Sequence, residues 1–373
     1  MKIALVVPGG VDRSGTYNVI PCLLWLIERL AATDEVHVFA LRQEEQPGSW
    51  GLLGARVHNA GARPRRLRAL AALVAEHRRA PFDVVHAWWA GGPGTVAAAF
   101  KATKGVGMVL TLPGGDLVAH PDIGYGGQLS CRSRAWIRLA LRAADRVVVP
   151  SAWMQAQADA FGVDSLRIPL GVALDRWPVA PPRPRKPGEK LRLIHVANLN
   201  RVKDQPTLLA AMRLLKDRGV DFRLDVLGHD TLDGAMQRLA AEFRLDRQIT
   251  FHGFVPHADT RPWVERADLM LISSRHETVP LVVAEAAVAG VPTVGTEVGI
   301  IADWFPDSAI AVPVGDAAAL ADAICELAVD DGRRLSLARV AQARAVAEDA
   351  DVTARQTRAL YEALSRSRQG RLG

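Results

Sequence analysis

Short runs rich in Val, Ile and Leu alternate with longer helical stretches along this 373-residue chain. Strands are expected at 2–8 (KIALVVP), 35–41 (EVHVFAL), 83–88 (DVVHAW), 107–112 (GMVLTL) and 145–151 (DRVVVPS). Helices are expected between them, for example over 16–32 (TYNVIPCLLWLIERLAA) and 131–144 (CRSRAWIRLALRAA). The alternation breaks at DRWPVAPPRPRKPGEK (175–190), where proline and charge are dense, as at a linker. It then restarts with strands at 191–198, 222–228, 248–253, 267–274, 291–296 and 309–314. Strand–helix alternation implies parallel sheets covered on both faces by helices. Two such sets imply two doubly wound α/β domains with ligands at the carboxyl ends of the strands, and a cleft between facing domains. The expected division is a first domain over 1–175, a linker over 176–190, a second domain over 191–350 and a last helix over 351–373.

Composition narrows the class. Hydrophobic residues make up 49% and charged residues 23%, which excludes a disordered chain. The net charge of +6 suits an anionic ligand or surface. Aromatics are 6%, and no aromatic-rich basic repeat points to single-stranded nucleic acid, so no nucleic-acid partner is expected. Cys22, Cys131 and Cys325 are too scattered for a disulfide framework or a zinc site, and indicate a reducing compartment. MKIALVVPGG reads as a first buried strand, not a signal peptide. No run reaches the about 18 apolar residues of a membrane span. The expected location is the cytoplasm.

The segment RHETVPLVVAEAAVAGVPTVGT (275–296) carries the most chemistry. A strand ends before it. Pro280 suits a first helical turn, with Thr278 or Val279 as cap, and Gly290 and Pro292 close the helix and open the next strand. A helix N-terminus at a strand's carboxyl end is an anion site, so the amides of Thr278, Val279, Pro280's successor Leu281, and Val282 suit a phosphate or diphosphate. Glu277 and Glu285 stand on either side, and carboxylates suit pairs of hydroxyls. Taken alone, the spacing favours a solvated Glu277 and an arginine-paired Glu285, since two glutamates eight apart are common by chance.

In its full context this segment resembles the E-x7-E motif of retaining, nucleotide-sugar-dependent glycosyltransferases of the GT-B fold, the group 1 family. The resemblance implies that Glu277 contacts the donor sugar, that Glu285 binds the ribose hydroxyls, and that the Thr278–Val282 stretch, Pro280 included, holds the diphosphate. It extends along most of the chain. HVANLNRVKDQPTLLAA (195–211) is similar to the family's first donor-domain strand and helix. Lys203 matches the lysine that neutralises the diphosphate; Asn198 stands at the usual arginine position, with Arg201 nearby as a substitute. Such cations answer charge growing on the leaving diphosphate. LDVLGHD and ITFHGFV make Gly228, Gly253 and Phe254 nucleotide-pocket candidates. IPLGVALDRW (168–177) resembles the passage into the linker. The 351–367 helix resembles one that crosses back to the first domain.

The first half departs further from the family. In PGGVDRSGTYNV (8–19), Gly10, Ser14 and Gly15 are candidates for contact with donor or acceptor. Trp88 and Trp89, at the end of HAWW, are candidate sugar-stacking platforms, with core burial as the alternative. TLPGGDL (111–117) occupies the place of T-x-H-G-x-D; Pro113 stands where the histidine is expected, leaving Gly114, Gly115 and Asp116, with His120 nearby. Gly114, Gly115 and His120 are acceptor-side candidates, and Asp116 joins Glu277, Lys203 and Arg201 as a catalytic candidate.

The resemblance implies transfer of a sugar from a UDP-sugar, or next a GDP-sugar, to a hydroxyl of a glycan, lipid-linked or small acceptor. No metal and no other cofactor is expected. The basic stretch 62–83 is either a solvated arginine face or a peripheral contact with an anionic membrane, which would be the inner face of the plasma membrane. A sugar-nucleotide epimerase-like enzyme and a non-catalytic nucleotide-sugar or lipid-binding protein remain alternatives on the same fold. A dinucleotide dehydrogenase is disfavoured because no G-x-G-x-x-G follows a strand.

Overall fold

The computed structural model describes residues 1–186 and 188–372, with side chains described to residue 367. The chain divides into two compact units, Met1–Leu170 with Ala350–Gly373, and Gly171–Asp349.

Unit 1 runs β1 (Lys2–Val7), α1 (Pro21–Ala31), β2 (Glu35–Ala40), β3 (Gly48–Leu52), β4 (Ala55–Asn59), α2 (Arg65–Arg79), β5 (Val84–Trp88), α3 (Gly92–Lys104), β6 (Gly107–Thr111), α4 (Cys131–Ala143), β7 (Arg146–Val149), α5 (Ala152–Ala160) and β8 (Ser165–Arg167). Unit 2 runs β9 (Leu191–Val196), α6 (Gln205–Asp217), β10 (Phe222–Leu227), α7 (Ala235–Glu242), β11 (Ile249–Gly253), α8 (His257–Glu265), β12 (Leu269–Ile272), α9 (Leu281–Val288), β13 (Thr293–Thr296), α10 (Ile300–Trp304), β14 (Ala309–Val312), α11 (Ala317–Val329) and α12 (Asp331–Ala347). The last helix, α13 (Ala350–Leu372), belongs to unit 1.

Each unit is built on one twisted sheet. The order in unit 1 is β3-β4-β2-β1-β5-β6-β7-β8, parallel except for the antiparallel β3–β4 pair. The order in unit 2 is β11-β10-β9-β12-β13-β14, parallel throughout. Central strands such as KIALVV are buried on both faces, which is why they read as unbroken apolar runs. One face of the first sheet packs Phe39, Leu73 and Phe100; the other packs Leu5, Leu23 and Trp88 against Leu360, Tyr361 and Leu364 of α13. Unit 2 closes around Leu193, Leu208, Met212, Leu271 and Ile324.

This topology places the chemistry. In unit 2 the strand order reverses direction between β9 and β12, so the loops after these two strands diverge and leave a crevice. In unit 1 the corresponding reversal lies between β1 and β5.

Several expected boundaries move. The first helix begins at Pro21, not residue 16, because residues 8–20 form a self-bonded loop. The β3–β4 hairpin and β8 were not expected. The hairpin turns on Leu53 (φ 50°) and Gly54 (φ 81°), and its first strand, GSWGL, lacks an apolar alternation. The stretch taken for a linker is instead docked on unit 2. Ala180 donates its amide to the Val288 carbonyl at 3.0 Å, and Gln342 Nε2 donates to the carbonyls of Ala180 and Val288. Arg183 Nη2 lies 3.1 Å from the buried Asp268 carboxylate. Proline here lays an extended chain along a surface. Among the described residues, no helix is long and apolar enough to cross a membrane.

Candidate active site

The loops on either side of the unit 2 reversal meet. Lys203, in the turn after β9, forms an ion pair through Nζ with Oε1 of Glu277, in the loop after β12. Ser274 Oγ donates to the same Glu277 oxygen at 2.7 Å. One backbone bond and one side-chain bond tie the two loops together. The Arg275 amide donates to the Val202 carbonyl at 2.8 Å, and Ser273 Oγ donates to the Lys203 carbonyl at 2.8 Å. Two residues separated by 74 positions are thus one charged pair. Arg201, in the same turn, is exposed, and among the described residues no contact joins its side chain to that pair.

A buried histidine sits on the strand that leads into the Lys203 turn. His195 lies on β9 with one ring nitrogen 2.8 Å from the Leu271 carbonyl and the other 3.2 Å from Gln205 Nε2. Donation to the carbonyl and acceptance from the amide satisfy a neutral ring. Burial, helped by the Lys203 charge and opposed by the Leu271 hydrogen bond and Glu277, lowers its pKa to about 4. Gln205 Nε2 also donates to the Asn198 carbonyl at 3.1 Å, so His195 links the strand core to the Asn198 loop.

The helix α9 starts at Leu281 with Pro280 as its cap, one residue later than expected, because Pro280 keeps an extended ψ of 102°. No side chain caps it, which leaves the Leu281 and Val282 amides as orphan donors. Thr278 is buried and Val279 half-buried in the approach. Gly299 supports this approach from behind. At φ 54°, it leaves so little room that an added Cβ would lie 2.3 Å from the Thr278 carbonyl oxygen.

Glu285 faces a partner that the sequence did not reveal. Its carboxylate, 3% exposed, lies 2.5 Å from Nε2 of His257, the first residue of α8. Burial works to lower the His257 pKa, but the Glu285 hydrogen bond and charge outweigh it and the pKa is raised. Trp177 stacks beside His257 at 5.7 Å between ring centroids and donates its indole N–H to the Glu285 carbonyl at 2.9 Å. An isolated histidine after a proline gives no periodic signal; only the fold brings it to Glu285.

Asn198, Gly228 and Gly253 also come together, at the ends of β9, β10 and β11. Asn198 Oδ1 accepts from the His229 amide at 3.1 Å, and the Gly228 amide donates to the Gly253 carbonyl at 2.8 Å. A Cβ on Gly228 would meet the Ala197 carbonyl oxygen at 2.0 Å, so only glycine permits this approach. Phe254 is 50% exposed beside them.

The unit 1 candidates divide. Trp88 is 1% exposed and packed in the core, so its ring is not available for sugar stacking. Trp89 is half-buried at the reversal point with φ 72°, a strained backbone for a bulky residue. Gly114 accommodates it: a Cβ there would lie 2.4 Å from Trp89 Nε1. Asp116 is buried and accepts from the Ala90 amide at 3.2 Å. Burial pushes its carboxyl up to about 7, against the amides of Ala90 and Gly91. Its evident task is to hold the turn that carries Trp89. A Cβ on Gly115 would lie 2.7 Å from the Tyr125 hydroxyl. His120 bridges to Tyr125 through paired backbone bonds of 2.7 and 3.1 Å.

The loop after β1 is bonded to itself and to the segment after β2. Gln43 Oε1 accepts from the Gly10 amide at 2.7 Å, and Asp12 Oδ1 accepts from both the amide and hydroxyl of Ser14. Gly10 and Gly15 take φ of 82° and 65°. These donors are committed to Gln43 and Asp12 rather than presented to a ligand. Elsewhere in unit 1, Glu35, His37 and Glu76 are close enough to hold a metal ion, but the Lys2 ammonium already sits among them, 2.8 Å from Glu76 and 3.2 Å from Glu35.

Comparison with known proteins agrees with this architecture. Residues 23–176 match the family model described as Glycosyltransferase Family 4, and residues 190–330 match Glycosyl transferases group 1. The chain is 27% identical to a glycogen synthase of Mycobacterium tuberculosis over 370 residues, covering 96% of this chain and 85% of the relative. It is 27% identical to the putative colanic acid biosynthesis glycosyltransferase WcaL of Escherichia coli, over 75% of this chain and 70% of that one. Among solved structures, a sucrose-phosphate synthase from Thermosynechococcus elongatus superposes with a TM-score of 0.84 at 20% identity, covering 98% of this chain and all of that one. Anabaena HepE in complex with UDP superposes with a TM-score of 0.75 at 18% identity, covering 97% of this chain and all of that one. With glycosyltransferase models matched in both units, the chain is a glycosyltransferase of the GT-B fold.

Proposed function

We propose that this protein is a retaining glycosyltransferase that holds a nucleoside diphosphate sugar on unit 2 and needs no metal. The observation that carries the reading is the Lys203–Glu277 pair at the strand-order reversal, beside the uncapped start of α9. Lys203 and the Leu281 and Val282 amides supply positive charge and donors to the diphosphate, the task a divalent cation performs elsewhere. Glu277 receives hydroxyls of the donor sugar. Glu285 receives the ribose hydroxyls, with His257 fixing the carboxylate; a carboxylate has about four acceptor positions, so one histidine bond does not exhaust it. Gly228, Gly253 and Phe254 border the base. Trp89, Gly114 and Gly115 border the acceptor on unit 1.

In the reaction, the bond from the sugar's anomeric carbon to the diphosphate oxygen breaks. The acceptor oxygen bonds to that carbon on the same face, and its proton passes to the departing diphosphate. Neither glutamate acts as a covalent nucleophile. UDP is the favoured nucleotide; HepE is described in complex with UDP and with UDP-glucose, and a trehalose-6-phosphate enzyme of Escherichia coli with UDP-2-fluoroglucose.

A panel of UDP-, GDP- and ADP-sugars, scored by thermal shift and by slow donor hydrolysis, tests the reading. A UDP-sugar is expected to raise the melting temperature and to be hydrolysed slowly with EDTA present. No shift with any nucleotide sugar would overturn it.

A further inference from the structure

A cavity of about 550 Å³ opens on unit 1 between the start of α2, Gly91 before α3, and the start of α4. It shares no residue with the Lys203–Glu277 or Glu285 sites of unit 2. Four of the residues that line it are arginines, Arg63, Arg65, Arg66 and Arg132, and none is acidic. Among the described residues, none of the four has an acidic partner. Ser130 and Ser133 add hydroxyls to the wall. Trp136 holds Arg66 in place, with the guanidinium 5.5 Å from the ring centroid.

As it stands the arrangement is electrostatically unfavourable. Arginine remains charged at any ordinary pH, so the four cations repel one another. The Arg66 proton affinity is lowered by burial and then by Arg65 and Arg132. Arg65 and Arg66 also open α2, and Arg132 lies in the first turn of α4, where the helix dipole favours anions over cations. Neither first turn holds an acidic residue. An ordinary solvated arginine face interleaves acids or points its heads apart; this one converges on a hollow. Guanidinium forks and hydroxyls match a phosphate's planar pairs of oxygens. The volume accommodates a phosphate and part of the group esterified to it. Leu67, 68% exposed, and Leu129, Trp136 and Leu139 lie in the same segments and offer apolar contact to that group.

We propose that this cavity binds a phosphate ester and anchors the phosphate of the acceptor, so that the acceptor is a phosphorylated molecule. The acceptor role rests on the transferase reading; the phosphate site does not. The phosphate can be that of a soluble ester or of a lipid headgroup.

The full chain is titrated calorimetrically with glycerol 3-phosphate, and sedimented with phosphatidylcholine vesicles containing or lacking 30% phosphatidic acid. The same measurements are made on Arg66→Gln/Arg132→Gln and on Arg138→Gln, an exposed α4 arginine outside the cavity. At least a tenfold loss is expected in the double variant, in whichever arm binds, with Arg138→Gln close to wild type. Binding of glycerol 3-phosphate assigns a soluble ester; binding only of phosphatidic acid vesicles assigns a lipid headgroup. Equal binding by wild type and double variant, or no binding in either arm, overturns the site. UDP titration of the double variant separates the two ideas. Retained UDP affinity with lost phosphate binding supports both, and phosphate binding by a protein with no UDP affinity leaves the cavity standing while the donor assignment falls.

Discussion

Lys203 and Glu277 neutralise each other when no donor is present, and a donor diphosphate would recruit the lysine while its sugar engages the glutamate. Glu277→Gln removes the charge and keeps the shape, so transfer should be abolished while calorimetric UDP affinity stays within about twofold. Undiminished turnover would remove Glu277 from the reaction. His257 and Glu285 give a pH signature. The folded-state pKa of His257 is raised, so its contribution to stability is complete below about 6.5, the ordinary value, and is lost as pH rises through the raised one. The melting-temperature gap between wild type and His257→Gln should therefore shrink from pH 6 to pH 9; a constant gap would show that the proton is not shared. Asp116 behaves in the same sense for a different reason. Its buried carboxyl is raised to about 7, so wild type should lose stability relative to Asp116→Asn between about pH 4 and pH 7 in pH-scanned melting. The segments of Glu277 and Lys203 stood out in the sequence through their resemblance to the family's motifs, each in a loop between an expected strand and an expected helix. His257 and His195 were not, because their partners lie 28 and 76 residues away and a single histidine has no periodicity.

Among elements, the loop between β12 and α9 carries Glu277 of the proposed donor site and is backed by a residue outside it. Gly299 opens α10 at φ 54° with the Glu277–Thr278 backbone against it. Gly299→Ala should displace that loop, lower transfer sharply and cost roughly 1–3 kcal/mol of stability in denaturant unfolding, the range for forced backbone strain. Wild-type stability and rate would show that the support is dispensable. The α9 segment was readable from its apolar run and closing Gly290, which takes φ 74° as expected of a helix-ending glycine. Its start was misplaced by one residue because proline is acceptable both as cap and as first helical residue. Residues 16–20 were misread as helix because Val19 and Ile20 continue the apolar spacing of α1; the positive φ of Gly15 and Asn18 overrides it. Trp88 and Trp89 were indistinguishable in sequence, since adjacent strand residues face opposite ways and only the fold decides which faces the core.

At the scale of the molecule, the strand-order reversals lie beside part of the candidate site: Trp89 follows β5 in unit 1, and Lys203 and Glu277 follow β9 and β12 in unit 2. Alternation of strands and helices made this architecture legible from the start. The proline-rich stretch misled because proline marks both free linkers and chains laid along a surface; Arg183, Gln342 and Trp177 decide for the second. The unit 1 arginine cavity could not be read from 62–83 alone, since Arg132 and Trp136 come from another helix. The proposed function turns on unit 2 gripping a nucleoside diphosphate through Glu285 and Lys203. Calorimetric titration of UDP, with EDTA present, into wild type, Glu285→Ala and Lys203→Ala tests it most directly. Metal-free binding by wild type is expected, with a loss of roughly 1–3 kcal/mol in each variant, the range for removing a hydrogen bond to a charged group. Equal affinity in all three proteins, or binding only when a divalent cation is restored, would contradict it.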